Sequence, residues 1–160
     1  GRRAWEYSLM SEQTTLLVLH GPNLNLLGER EPHIYGSATL DDYLAAVAAA
    51  AAPYGMAVES FQSNHEGDLV DAIHGARNRC AAIIINPGAF THYAWSIHDA
   101  LSAFDGVIIE VHISNPNARE AWRHTSVVAP VASGSITGLG MHGYELAVAA
   151  VSRRLAEGRR

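Results

Sequence analysis

The sequence predicts an α/β protein built on a doubly wound parallel sheet, and three observations carry that expectation. Short, largely β-branched apolar runs, among them Leu16-Leu17-Val18-Leu19, Ala82-Ile83-Ile84-Ile85 and residues 107–111, lack regular polar alternation; they read as strands covered on both faces. These runs alternate with segments of helical periodicity along the whole chain, the pattern of helices crossing over a parallel sheet. Polar residues gather just after the strands: Asn23, then Asn64 and His65, then Asn86, then His112 and Ser114. With about five strands, the natural architecture is a flavodoxin-like sheet with helices on both faces, in which ligands bind beyond the carboxyl ends of the strands.

Taken in order, the first strand leads into an unusually long connection, 21–36, where about two to six residues would be ordinary. Pro, Gly and Asn punctuate it, and it carries Arg30, His33 and Tyr35, so it reads as a functional loop on a rigid scaffold. A helix over 39–54 has Asp41 and Asp42 in its first turn and is ended by Pro53 and Gly55. A strand at 56–62, a helix at 68–79, the strand from Ala82, a helix at 93–104 and the strand at 107–111 follow. A short helix at 118–124 places Arg119 and Arg123 four apart on one face. We expect the fifth strand at 126–131, a glycine-rich loop at 134–140 and a final amphipathic helix at 144–157.

A chain of 160 residues suits one domain, taken as 10–160. Residues 1–9 read as an added or upstream extension before a natural start at Met10. A formal charge of −5 argues against nonspecific nucleic-acid binding. The single cysteine, Cys80, fits a reduced, cytoplasmic setting and reads as a buried structural thiol. All 11 Lys+Arg residues are arginine. Without lysine, Schiff-base and pyridoxal-phosphate chemistry and the lysine-dependent P-loop are excluded.

The remaining chemistries narrow further. Gly138-Leu139-Gly140-Met141-His142-Gly143 matches G-x-G-x-x-G, but a dinucleotide fingerprint belongs after the first strand; here it reads as a tight loop before the last helix. Nine histidines are present, yet no three ligands have zinc spacing, and His74 and His98 read as structural. No G-x-S-x-G elbow occurs. Ser114 is either a turn-forming serine or a hydroxyl placed to bind a carboxylate or phosphate. Acid–base chemistry remains. Glu110 and His112 lie two apart on a strand and share a face, so the carboxylate can orient the imidazole. A tyrosine is ordinarily a poor base at neutral pH. An arginine about 4 Å away at an effective dielectric of ~20 contributes about 4 kcal/mol toward tyrosinate, and Arg30 stands five residues before Tyr35.

Several ordered motifs together resemble the type II 3-dehydroquinate dehydratases, from about Leu16 to Leu155. They are Gly21-Pro22-Asn23-Leu24-Asn25-Leu26-Leu27-Gly28, Arg30-Glu31-Pro32 with Tyr35-Gly36, and Gln62-Ser63-Asn64-His65-Glu66-Gly67. Asn86-Pro87-Gly88-Ala89 with Thr91-His92 follows, then Glu110-Val111-His112-Ile113-Ser114-Asn115 through Ala118-Arg119-Glu120 to Arg123, and Gly138-Leu139-Gly140 with Gly143-Tyr144. The resemblance implies reversible anti-dehydration of 3-dehydroquinate to 3-dehydroshikimate through an enolate, in the shikimate pathway, without cofactor or metal. It makes Tyr35 the base, with Arg30 favouring tyrosinate, and His112 the acid, held by Glu110. Asn23 positions a water at the enolate oxygen. Asn86, His92 and Arg123 bind the substrate hydroxyls, and Ile113 N–H and Ser114 bind its carboxylate. It also implies a homododecamer, a tetramer of trimers, in which Asp99 reaches a neighbouring subunit's site. Tyr93-Ala94, Pro116 and Asn117 depart from the usual pattern beside the pocket. The competing reading is a flavodoxin-like module that binds a small anionic ligand without turnover.

Overall fold

The computed structural model describes residues 13–160; the expected extension 1–9 and Met10 lie outside the described residues. Five strands, β1 (Thr15–His20), β2 (Ala57–Gln62), β3 (Ala82–Asn86), β4 (Val107–His112) and β5 (Gly134–Thr137), form one sheet in the order β2-β1-β3-β4-β5. Every neighbouring pair is parallel. The order reverses beside β1, since the chain steps outward to β2 and then returns to β3 on the other side. That reversal opens a crevice at the carboxyl ends of β1 and β3, where doubly wound sheets bind ligands.

The period-2 geometry of strands divides the core into two layers. Leu16, Val18, Ile84, Ile109 and Val111 face α2 (Leu40–Ala51) and α5 (Gly140–Ala156), packing with Tyr43, Val47, Tyr144, Val148 and Val151. Leu17, Leu19, Ile83, Ile85 and Ile108 face α3 (Glu66–Ala76) and α4 (Trp95–Ser102), packing with Leu69, Ile73, Ile97 and Leu101. Each fully buried Leu, Ile or Val contributes on the order of 1.5–3 kcal/mol of transfer free energy. The two edge strands lack this double cover: β2 and β5 are largely exposed or half-buried. Cys80 is buried in the second layer as expected.

Helix starts follow local chemistry. Thr39 caps α2 through a reciprocal box, its hydroxyl accepting from Asp42 N–H while the Asp42 carboxylate accepts from Thr39 N–H. The Ala94 cap leaves α4 shorter than the expected 93–104, because a 3-10 turn at Gly88–His92 occupies the chain before it. The long connection 21–36 (the lid) contains one helical turn, α1 (Pro32–Tyr35), entered through left-handed Glu31.

Two expectations fail after β4. Residues 126–131 are not the fifth strand; β5 is Gly134–Thr137, inside the segment expected to be a loop. The reason is local: Ser126 Oγ accepts the backbone N–H groups of Val128 and Ala129 at 3.1 and 2.9 Å, which folds the chain into a turn. A 3-10 turn at Ala129–Val131 follows. The expected helix at 118–124 is instead two 3-10 turns, Pro116–Ala118 and Ala121–His124, with Arg119 extended between them. A third difference is small: α5 begins at Gly140, four residues before Tyr144.

Gly21 marks the tightest approach of the first connection to the β3 end. A Cβ there would lie 2.0 Å from the Pro87 carbonyl oxygen, so backbone would have to move. Gly21→Ala is expected to cost about 2 kcal/mol or more, and Thr39→Ala about 1 kcal/mol. Urea unfolding midpoints of the two variants should fall in that order.

Candidate active site

A cleft of about 590 Å³ opens at the reversal point of the sheet, lined by Asn23, Arg30, Tyr35, Asn86, His92, His112, Ile113, Ser114, Arg119 and Arg123 among others. The structure therefore gathers ten functional candidates from three segments, those at and after the ends of β1, β3 and β4. Nine come from the sequence reading; Arg119 does not.

The floor is set by the ends of β1 and β3. His20 and Asn86 are register partners there. The Asn86 amide donates to Tyr144 Oη at 3.0 Å, and its oxygen accepts from Gly88 N–H at 3.2 Å. Tyr144 Oη also bonds to His20 Nε2 at 2.8 Å. His20 is 1 % exposed, and burial pushes its pKa down to about 4; burial likewise pushes Tyr144 up. Both are neutral at physiological pH, so this triad holds Asn86 by hydrogen bonds rather than charge. Asn23 adopts a left-handed conformation (φ 68°). Its N–H donates to Asn64 Oδ1 at 3.0 Å, while Gln62 bridges Gly21 O and Asn64. The polar turn after β2 thus anchors the start of the long connection.

One wall is an acid–base pair. His112 Nε2 meets Glu110 Oε2 at 2.5 Å, as the shared strand face requires. Glu110 is 1 % exposed. Burial by itself raises a carboxyl pKa. The hydrogen bond and charge of His112, with donors from Thr91 and Ser126, outweigh burial and hold Glu110 below the usual carboxylate range. His92 Nδ1 donates to Thr125 O at 2.7 Å. Burial lowers its pKa most, and His112 and Arg123 lower it further against the opposing carbonyl. A neutral His92 tautomer with Nδ1–H leaves Nε2 as an acceptor.

The opposite wall is the lid. Tyr35 Oη accepts from Arg119 Nη1 at 2.9 Å, and Arg119 Nη1 also reaches Ser114 Oγ at 3.2 Å. The Arg119 guanidinium carbon lies 5.5 Å from the Tyr35 ring centroid, and that of Arg30 lies 5.9 Å away. Arg30 pairs with Glu31 at 3.4 Å. Thus Arg30 is near the tyrosine as expected, but Arg119 makes the hydrogen bond. The sequence signal for Arg119 was its spacing from Arg123, which put both on one side of a turn. Arg123 lies over the Trp122 ring at 4.0 Å and pairs with Glu120 at 2.5 Å. Gly28, at φ +89°, turns the chain where a Cβ would be 2.9 Å from Ser37 O; it fixes the base of the lid. Of the departures from the resemblance, Pro116 lines this cleft, and Asn117 lines an adjoining cavity with His112.

Asp99 is not in this pocket. It is exposed on α4. Of the two structural histidines, His98 Nδ1 bonds to Val127 O at 2.6 Å, whereas His74 is exposed. Among the described residues, no group of three His, Cys, Asp or Glu side chains is placed to hold a metal ion.

A doubly wound sheet carrying a lid tyrosine that accepts a hydrogen bond from one arginine, opposite a carboxylate-held histidine, has the groups of an α/β acid–base site. The comparisons give its family. The family model described as Dehydroquinase class II matches residues 14–152, so the chain belongs to the class II dehydroquinases. It is 53% identical over 137 residues to a 3-dehydroquinate dehydratase of Halalkalibacterium halodurans, covering 86% of this chain and 94% of that protein. It is 52% identical over 143 residues to a catabolic 3-dehydroquinase of Aspergillus clavatus, covering 89% and 95%. The crystal structure of a type II dehydroquinase from Propionibacterium acnes superposes with a TM-score of 0.84 at 44% identity, over 88% of this chain and 97% of that one.

The buried neutral His20 has a stability consequence. An unfolded histidine binds a proton below about 6.5, while the folded one resists until about 4. The unfolded state thus binds more protons in that window, so stability falls as pH drops from 6.5 to about 4, by about 3 kcal/mol at the lower end. Urea unfolding across this window should show that loss in the native chain and a smaller one in His20→Gln.

Proposed function

We infer that this chain dehydrates 3-dehydroquinate to 3-dehydroshikimate in the shikimate pathway. The observation that carries the reading is the opposition of two acid–base groups across one cleft: Tyr35 with Arg119 and Arg30 on the lid, and His112 with Glu110 on β4. The identities of 53% and 52% to proteins named as 3-dehydroquinate dehydratases support it. An anion-binding module would have no use for a buried carboxylate placed against a histidine.

In this reading Tyr35, as tyrosinate, takes the proton next to the substrate ketone. The C–H electrons pass to the carbonyl oxygen and form an enolate. The positive charge of Arg119, with Arg30, favours the anionic tyrosine. Asn23 positions a water at the enolate oxygen. His112, charged and held by Glu110, then protonates the C1 hydroxyl; the enolate collapses, the C–O bond breaks and water leaves. Neutral His92, Asn86 with its second amide hydrogen, and Arg123 bind the ring hydroxyls. Ile113 N–H and Ser114, beside Arg119, take the carboxylate. Lid closure excludes water and strengthens these interactions.

The same reading makes the protein a cytoplasmic homododecamer, a tetramer of trimers, with Asp99 completing a neighbour's site. Exposed Tyr93 and Trp95, at the start of α4, support a covered face there, at 57% and 62% exposure.

Purified protein mixed with 3-dehydroquinate should develop the conjugated-enone absorbance of the product; no signal at any pH would favour a binding module. Tyr35→Phe should lower kcat at least about a thousandfold while calorimetric substrate binding persists, and near-normal turnover would reject Tyr35 as base. Sedimentation velocity should give a single species of about twelve chains, and Asp99→Ala should lower kcat/KM without dissociating it.

A further inference from the structure

The Glu110 carboxylate has more partners than an orienting group for His112 requires. Thr91 Oγ1 reaches Oε2 at 2.5 Å, the same oxygen and the same distance as His112 Nε2. Ser126 Oγ lies 2.9 and 3.0 Å from Oε1 and Oε2. The two hydroxyl oxygens are 2.8 Å apart. Proton counting resolves this cluster. Ser126 Oγ already accepts two backbone N–H groups, from Val128 and Ala129, which fill its lone pairs. Its one hydrogen is therefore directed at Glu110, and it cannot also accept from Thr91. The Thr91 hydrogen consequently goes to Glu110 as well. The N–H donors on Ser126 polarise its hydroxyl and strengthen its donation.

We propose that Thr91 and Ser126 are positioning residues that set the acid strength of His112 by dividing the charge of Glu110 among three donors. Thr91 competes with the imidazole for one oxygen, so its hydroxyl limits how tightly the carboxylate holds the His112 proton. The two residues come from opposite connections, Thr91 after β3 and Ser126 after β4, and the Val127 N–H to Thr91 O bond of 2.7 Å joins them. The other charged and titratable groups facing His112 across its two cavities are Arg30, Tyr35, His92, Arg119, Arg123 and His124. None of these touches Glu110. The hydroxyl pair acts on the carboxylate through direct hydrogen bonds, whereas His92 acts on Glu110 and His112 through charge. The inference rests on the reading of His112 as the acid.

Removing a competing donor concentrates charge on the imidazolium, which then holds its proton more tightly. Activity requires charged His112, so the alkaline limb of the kcat profile should move up by about one pH unit in Thr91→Val. Plateau kcat should fall several-fold as the acid weakens. Ser126→Ala should move the limb the same way, and Thr91→Ser should restore the native profile. Ser126→Cys, a weaker donor of similar size, gives the same measurement should either larger change prevent folding. A uniform loss of kcat or Tm with an unmoved limb would overturn the proposal and leave the hydroxyls as structural supports. His112→Asn separates the underlying reading: an inactive variant supports it, and retained turnover removes both it and the inference.

Discussion

The site depends on one buried carboxylate. Glu110 is 1 % exposed in the middle of a hydrophobic sheet, and an ionised carboxylate there is tenable only when its lone pairs are met by donors. The sheet itself cannot supply them, because backbone groups of β4 are already engaged with β3 and β5. The donors come from His112 on the same strand, Thr91 after β3 and Ser126 in the turn before β5. This requirement ties the two connections that close one side of the cleft. It also explains why the chain after β4 turns at Ser126 instead of entering a strand: a serine that must accept two backbone N–H groups and donate to Glu110 cannot sit in a ladder.

The opposite side of the cleft is organised by cations. Arg119 joins the lid to the floor, since one guanidinium nitrogen contacts both Tyr35 and Ser114. The placement of the lid is therefore coupled through Arg119 to Ser114, the group proposed to meet the substrate carboxylate. Neutral groups form the floor between these poles. His20, Tyr144 and the uncharged amide of Asn86 are held by hydrogen bonds, and burial suppresses ionisation of the first two, so the site has a negative pole, a positive pole and an uncharged centre.

Local pattern was enough to read most of the architecture. Apolar runs 16–19, 82–85 and 107–111, the last interrupted only by Glu110, became the three central strands, because strands covered on both faces leave a nearly continuous apolar signal. β5 was not legible: Gly-Ser-Ile-Thr is short and half-exposed, while Val127 and Val128, apolar enough to suggest a strand, are buried in a turn. The one-face relation of Glu110 and His112 followed directly from strand period, and the lid from its length. His20 and Tyr144, 124 residues apart, gave no such signal, since nothing local announces a hydrogen bond across the sheet.

The sequence by itself determined the parallel α/β class, the position of the lid, the Glu110–His112 pair and the absence of lysine chemistry, because each rests on residue identity or on spacing within one element. Tertiary structure decided that Arg119 rather than Arg30 makes the hydrogen bond to Tyr35, that Thr91 and Ser126 share Glu110, and that Asn86 is held from behind by Tyr144. Those contacts join segments brought together only when the strand order reverses beside β1, and their distances depend on packing that no local periodicity encodes.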